Sequence, residues 1–452
     1  MSAATAVLDV GKTHAKLSLV AKDGRILAAR SRANDVRQIG LVKVLDTDGI
    51  ERWLAASLLE LGKQAEIAAI IPVAHGATAA LIASQGLAAP VMDYETPPPD
   101  DVMSAYRAMR DPFERTLSPR LPLGLNLGVQ LFWQERLTPD LWPARARVLP
   151  WPQYWAYWLS GVEANEVSSL GCHTDLWQPR KNTFSDLARS RGWDSRFAPM
   201  FHASATLGQL RTDLALATGL APSCEIHCGL HDSNASLVAA RRMMGSTHTF
   251  ALVSTGTWFI ALQSGATRSV RLDPGRDTLG NVDVDGSVTP SSRFMGGREY
   301  EAILGGALGA TSALEDAAKI VKRGVVAGPS FVAGSGPFPD ARGGILGDVQ
   351  SAGERAALAS LYLALMQDVS LDLIRAEGPV LIEGRFANDP VFTGALARLR
   401  PAQQVYRCAL GDGIALGAAS LRNAHIKPPP PQPVAPLALD LADYKARWKP
   451  AH

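Results

Sequence analysis

Thr5-Ala6-Val7-Leu8-Asp9-Val10-Gly11-Lys12-Thr13-His14-Ala15-Lys16-Leu17-Ser18-Leu19-Val20 places two apolar runs on either side of a glycine turn. Both runs read as strands, and a second turn at Lys22-Asp23-Gly24, followed by Arg25 to Ala33, extends the pair into a meander. Gly11-Lys12-Thr13 has the ending of a P-loop, but that motif needs a glycine five residues earlier, and position 6 is alanine. What is left is strand, glycine turn, strand. The amides of such a turn, with the Thr13 hydroxyl, can bind phosphate as a backbone nest, and Lys12 or Lys16 can add charge. A hairpin turn also uses glycine for conformational reasons alone.

The pattern returns later in the chain, where Thr249 to Ser254 and Trp258 to Gln263 flank Thr255-Gly256-Thr257. The two turns share small, hydroxylated residues around one glycine, which reads as an internal duplication. Two such turns facing each other across a cleft could hold one triphosphate, an arrangement that belongs by analogy to the actin-like ATPases. Length agrees: 452 residues exceed what one hydrophobic core usually supports. The expected division is residues 1–240, residues 241–426 and a proline-rich extended tail, 427–452. Between these landmarks a helix is predicted from Thr47, with Trp53, Leu54, Leu58 and Leu61 at helical spacing, and a buried strand over Glu66 to Val73. The second half adds a hairpin signal at Asp285-Gly286, helices over 354–376, 389–399 and 412–423, and a strand at Val380 to Ile382.

Lysine plus arginine number 45 against 43 aspartate plus glutamate, a formal charge of +2. That balance gives no drive toward nucleic acid or a membrane surface, so a small-molecule partner is the expectation. No uninterrupted apolar run reaches membrane-spanning length, and Met1-Ser2-Ala3-Ala4-Thr5 lacks the basic region of a signal peptide. Four cysteines, Cys172, Cys224, Cys228 and Cys408, are too few for a disulfide framework and suit a reducing cytoplasm.

Glu225-Ile226-His227-Cys228-Gly229-Leu230-His231-Asp232-Ser233-Asn234-Ala235-Ser236 carries the most chemical information. A strand ends at Gly229, and Asp232 stands at the start of a helix through Ala235, Leu237 and Ala240. There it can be a plain N-cap. A carboxylate at a helix N-terminus is also held ionised and ready to accept a proton. Cys224, His227, Cys228 and His231 have zinc-like spacings, but strand alternation sends the two cysteines to one face and His227 to the other, so buried small cysteines are the plainer reading.

Taken together these residues resemble the FGGY carbohydrate kinases, on the rhamnulokinase and fuculokinase side of that family. Asp9-Val10-Gly11-Lys12-Thr13-His14-Ala15-Lys16 matches the first phosphate motif, Gly229-Leu230-His231-Asp232 the catalytic aspartate motif, and Ser254-Thr255-Gly256-Thr257-Trp258 the second phosphate motif. The resemblance implies an α/β fold of two ribonuclease H-like domains of the actin and hexokinase type, each a mixed sheet flanked by helices, with an ATP cleft between them. It implies transfer of the γ-phosphoryl group of ATP to a sugar hydroxyl, with Asp232 as base. ATP would be held by Asp9, Gly11, Lys12, Thr13, Lys16, Thr255, Gly256, Thr257, Gly384 and Asn388, and Mg2+ by Asp9 directly or through water. His75, Asp93, Glu95, His231 and Asp232 stand where the family contacts substrate, and Asn165 to Ser169 follows in another pocket segment. Where the family has a triple-glycine turn past the adenosine, this chain has Glu383-Gly384-Arg385-Phe386, whose side chains narrow the room for a base. The implied substrate is a ketose or deoxyketose such as L-rhamnulose or L-fuculose. The alternatives are an actin-like regulator that binds ATP and sugar without turnover, and a zinc-dependent hydrolase built on the Cys224 to His231 cluster. A homodimer is left open.

Overall fold

The computed structural model describes residues 3–448 apart from 85, 143–145, 246, 248 and 409–410. Met1-Ser2, read above for signal character, and the last four residues of the expected tail lie outside the described residues. The chain forms two compact units: Met1–Arg242 with Gly280–Val288 and Asp412–Pro428, and Met243–Leu279 with Thr289–Gly411 and Pro429–His452.

The first unit is built on the opening meander, β1 (Ala3–Val10), β2 (His14–Ala21) and β3 (Ile26–Ala33). Leu8, Leu17 and Leu19 are fully buried on one face and Val7 and Val20 on the other, because the sheet is covered on both faces and its central strands read as apolar runs. Asp46 caps α1 (Thr47–Gly62), its side chain accepting from the Gly49 N–H, and Ile50, Leu54, Leu58 and Leu61 form the buried stripe. The chain then returns as β4 (Glu66–Ala74), parallel to β1 with Asp9 level with Val73. Three short strands follow: β5 (Thr206–Gln209), β6 (Glu225–His227) and β7 (Leu230–His231). The sheet order is β5-β6-β4-β1-β2-β3, and β7 also pairs with β4 in parallel.

Gly229 makes the passage from β6 to β7 possible. Its φ is +78°, and a Cβ there would overlap the Pro72 carbonyl of β4. Gln153, on a helix over Trp151–Ser160, donates to the Cys228 and Gly229 carbonyls and fixes the same bend. α2 (Asp232–Met244) starts directly after β7. The helix Gly413–Arg422 packs on α2 at Gly417, where any side chain would collide with the Ala235 carbonyl.

The second unit repeats the scheme. β8 (Phe250–Thr255) and β9 (Phe259–Ser264) form the hairpin, β10 (Val288–Phe294) pairs antiparallel with β9, and β11 (Val380–Gly384) runs parallel beside β8. β12 (Val405–Arg407) and β13 (Gln432–Pro433) continue the sheet beyond β11. The hairpin turns have equal length, three residues between Val10 and His14 and three between Thr255 and Phe259. In both units the first hairpin strand ends level with the end of its parallel neighbour, Val10 with Ala74 and Thr255 with Gly384. The duplication inferred from two turns therefore extends to strand order and register.

α3 (Ala352–Leu373) is capped by Ser351, which accepts from the Glu354 N–H. By length and composition α3 could cross a membrane, yet 83% of its most apolar window is buried within the protein. The segment after the proline run is more than an extended tail. The Val434 N–H donates to the Val405 carbonyl, a short helix spans Ala442–Arg447, and Trp448 Nε1 donates to the Ala327 carbonyl. The proline-rich run ends at Pro436, and Leu437, Leu441, Tyr444 and Trp448 beyond it are buried.

Candidate active site

The first unit gathers most of the residues singled out in the sequence around the ends of β1, β4 and β7. Asp232 is the first residue of α2, half-exposed, and its Oδ1 accepts from the Ser233 N–H at 2.5 Å and the Ser233 hydroxyl at 3.2 Å. The bond runs to the next residue, so the carboxylate is turned toward the helix entry with one oxygen uncommitted by these contacts. His231 Nε2 lies 3.2 Å from Asp232 Oδ1 and 3.3 Å from Cys172 Sγ. His75 is buried at the end of β4, its Nδ1 2.7 Å from the Gly76 carbonyl. Burial lowers the pKa of both imidazoles, with Asp232 pulling each back up, so both are neutral at pH 7. His75 Nε2 and His231 Nδ1 are buried with no hydrogen-bond partner among the described residues. Such atoms are costly to bury and are commonly completed by a ligand or water.

Asp9 lies at the end of β1. Burial first, then the charge of Asp232, pushes its carboxyl up to about 7, against the opposing effect of Lys16. Two neighbouring carboxyls, one of them made costly to ionise by burial and by the other's charge, make an oxygen donor set suited to a hard divalent cation. Lys16 itself reaches the Asp412 carboxylate at 2.7 Å, and Asp412 stands at the entry of the helix Gly413–Arg422. Lys12 turns away from the role its motif suggested. Its ammonium meets Asp93 at 2.5 Å and Glu95 at 3.4 Å, and sits over the Tyr94 ring, whose edge meets His75. Thr13 is exposed, and its hydroxyl is 3.1 Å from His14 Nδ1.

Sequence reasoning missed Asn34 and Asp412. Asn34 clamps the turn from β3, its side chain donating to the Gly11 carbonyl and its N–H to the Thr13 carbonyl, both at 2.8 Å. Its only sequence signal is a polar residue just past the third strand. The pocket segment after Asn165 resolves as a cap: Glu166 is buried and accepts from the amides and hydroxyls of Ser168 and Ser169, and the Ser168 hydroxyl is 3.4 Å from the His231 N–H.

In the second unit the turn after β8 packs on a helix over Gly296–Leu304, and the Gly297 N–H donates to the Thr257 carbonyl at 3.2 Å. A side chain at Gly297 would press on the Gly256 carbonyl, so this glycine pair marks the contact, a signal the sequence reading passed over. Thr257 is exposed and Gly256 half-buried. Thr255 differs: it is buried, its hydroxyl donating to the Glu383 carbonyl at 2.5 Å and accepting from the Phe386 N–H at 3.0 Å. The hydroxyl expected to touch phosphate thus ties β8 to β11. Gly384 has φ +87°, and a Cβ there would overlap the Thr255 carbonyl, which explains why this one glycine of the turn is kept. Phe386 points inward, 5.2 Å from the Phe259 ring and 5.0 Å from Tyr300, so of the side chains that replace glycine only Arg385, paired with Glu301 at 3.5 Å, is exposed. Asn388 is exposed on the turn that follows.

The zinc-like spacing does not converge. Cys224 and Cys228 are buried thiols whose pKa burial raises, His227 Nδ1 is bound to the Ser204 carbonyl, and among the described residues no group of three or more His, Cys, Asp or Glu could hold a metal ion.

Residues 247–430 match the family model described as carbohydrate kinase FGGY, C-terminal domain. A solved carbohydrate kinase from Novosphingobium aromaticivorans is 41% identical, with a TM-score of 0.93 over 98% of this chain and 99% of that one. A xylulose kinase from Rhodospirillum rubrum shares the fold at 18% identity, with a TM-score of 0.79 over 98% of this chain and 96% of that one. The L-fuculokinase of Salmonella typhi is 25% identical over 272 residues, which span 57% of this chain and 55% of the fuculokinase.

Proposed function

The chain belongs to the FGGY carbohydrate kinase family, and we propose that it is an ATP-dependent kinase that phosphorylates a hydroxyl of a small neutral sugar, with Asp232 as the base. The observation that carries this reading is the Asp232 carboxylate at the start of α2, with the unpartnered nitrogens of His75 and His231 nearby. Asp232 accepts the hydroxyl proton as that oxygen bonds to the γ-phosphorus, and the bond to the β,γ-bridging oxygen breaks to release ADP. Asp9, beside Asp232, would hold Mg2+ directly or through water, and the ion supplies neutralisation of phosphate charge. The Lys12 and Thr13 amides, on the turn clamped by Asn34, and the Thr257 amide serve as phosphate donors, while the Gly11 and Gly256 amides close their hairpins on the His14 and Trp258 carbonyls. Lys16 adds charge, and Asp412 orients it. Gly384 and Asn388 are proposed for the adenosine side.

Substrate class follows from the charges. Lys12 is neutralised by Asp93 and Glu95, so the acidic residues around Asp232 are not outweighed, and a neutral polyol suits the pocket better than a sugar acid. His75, Asp93, Glu95 and His231 would bind its hydroxyls. A ketose or deoxyketose of the L-fuculose or L-rhamnulose kind is favoured by the likeness to an L-fuculokinase. Four buried cysteines suit a cytoplasmic location. A coupled ADP-release screen over ketoses, aldoses, polyols and aldonic acids tests the reading. Turnover with a neutral ketose and none with gluconate is expected; turnover confined to sugar acids, or none at all, would overturn it.

A further inference from the structure

At the opposite end of the first unit's sheet, the turn between β2 and β3 meets the end of the helix Gly413–Arg422. The Asn423 side chain donates to the Lys22 carbonyl at 3.0 Å, and Gly24 lies against Ile426. A cavity of about 690 Å³ opens there, lined by Lys22, Thr206, Glu225, His227, Arg422 and His425 among others. That is the size of a small-molecule site. Lys22 and Lys16 are six residues apart along an extended strand, so the cavity is about 20 Å from the residues given to phosphoryl transfer.

Its chemistry is specific. Arg422 Nε donates to the Glu225 carboxylate at 3.1 Å, which pairs one cation with one anion. Lys22 has no ion-pair partner among the described residues, so the lining carries a net positive charge. His227 is only 3% exposed. Its Nδ1 is 2.9 Å from the Ser204 carbonyl and must donate to it, which leaves Nε2 as the lone-pair nitrogen. That Nε2 is buried with no hydrogen-bond partner among the described residues, and stands 3.7 Å from Glu225, itself an acceptor and beyond hydrogen-bond distance. Two acceptors facing each other each call for a donor of their own, which a ligand with two hydroxyls supplies. The histidine is neutral because burial, its largest influence, lowers its pKa.

We propose that this cavity binds a small oxyanion that also carries hydroxyl groups, such as the phosphate monoester of a short polyol. The anionic end lies on Lys22 and the outer guanidinium nitrogens of Arg422, one hydroxyl donates to His227 Nε2, and a second donates to Glu225. The probe is glycerol 3-phosphate, titrated against the full-length protein with histidine ring resonances followed by NMR, the His227 signal being assigned with His227→Asn. A saturable shift of the His227 resonance is expected. Arg422→Ala and Lys22→Ala are each expected to weaken it by about 5-fold or more, as loss of a charge-assisted contact does, and Lys22, being an exposed turn residue, is replaced without risk to the fold. Glycerol alone should produce no saturable shift. The proposal is overturned if glycerol 3-phosphate leaves His227 unmoved at millimolar concentration, if glycerol does as well, or if both charge variants bind as tightly as the parent.

Discussion

Asp232 and Asp9 show how little of a residue's role is contained in its own letter. A carboxylate at a helix start reads as a cap, and Asp232 does accept a hydrogen bond from the first turn, yet only from its immediate neighbour. What distinguishes it is its company, the His231 ring at 3.2 Å and the Asp9 carboxyl whose ionisation it opposes. Because Asp9 titrates near 7, it is neutral below that pH and ionised above it. Turnover at fixed, subsaturating Mg-ATP should therefore rise through pH 7, and Asp9→Asn should abolish most of that rise while raising the Mg2+ requirement; a parent profile flat from pH 6 to 8 would contradict it. Lys12 is the counter-example. Its place in a phosphate-type turn pointed to the nucleotide, and no spacing rule could show that a loop 81 residues later brings Asp93 to its ammonium. Lys12→Ala should raise KM for the sugar more than for ATP, measured by varying each at saturation of the other.

At the scale of elements the sequence was most legible where a local rule fixes the shape. The meander, α1, β4, β8, β9 and β11 fall within one or two residues of their predicted spans, because alternation, glycine turns and helical spacing act over a few residues. Reasons that act between elements were not legible. Gly384 looked like the remnant of a glycine-rich turn for the nucleotide, and its positive φ and the strand beside it independently demand a glycine there. Gly384→Ala should cost about 2–4 kcal/mol through its positive φ and the overlap with Thr255, measured by denaturant unfolding. Glu383 belongs to the same junction: burial pushes its carboxyl up to about 7, with a bond to Ser254 opposing the shift. In the unfolded chain it ionises near 4.5, so between these values folding binds a proton, and stability falls as pH rises through the window. The full loss is about 3 kcal/mol. Glu383→Gln lacks this penalty, and its melting temperature relative to the parent should increase from pH 5 to pH 8; a constant difference would refute the buried-acid account.

For the whole molecule, the turn motifs announced a duplication, and matched hairpin lengths and registers in two units are its physical form. The extent of each unit was less accessible, since Gly280–Val288 and Asp412–Pro428 return to the first unit from the second half of the sequence. Contacts such as Arg241 with Asp283 and Lys16 with Asp412 hold these segments and leave no trace in local pattern. The proline run hid the apolar residues after it in a similar way. Deleting 429–452 should destabilise the second unit by several kcal/mol, because the surface that Leu437, Leu441, Tyr444 and Trp448 cover would be exposed to water. The deletion should show as a lowered first unfolding transition in calorimetry. The central claim, that Asp232 draws the proton from a sugar hydroxyl, is tested most directly by comparing kcat of the parent and Asp232→Asn on the best sugar of the screen, with ATP affinity measured alongside. A loss of about 100- to 10,000-fold in kcat with ATP binding retained is predicted, and undiminished turnover in the variant would contradict it.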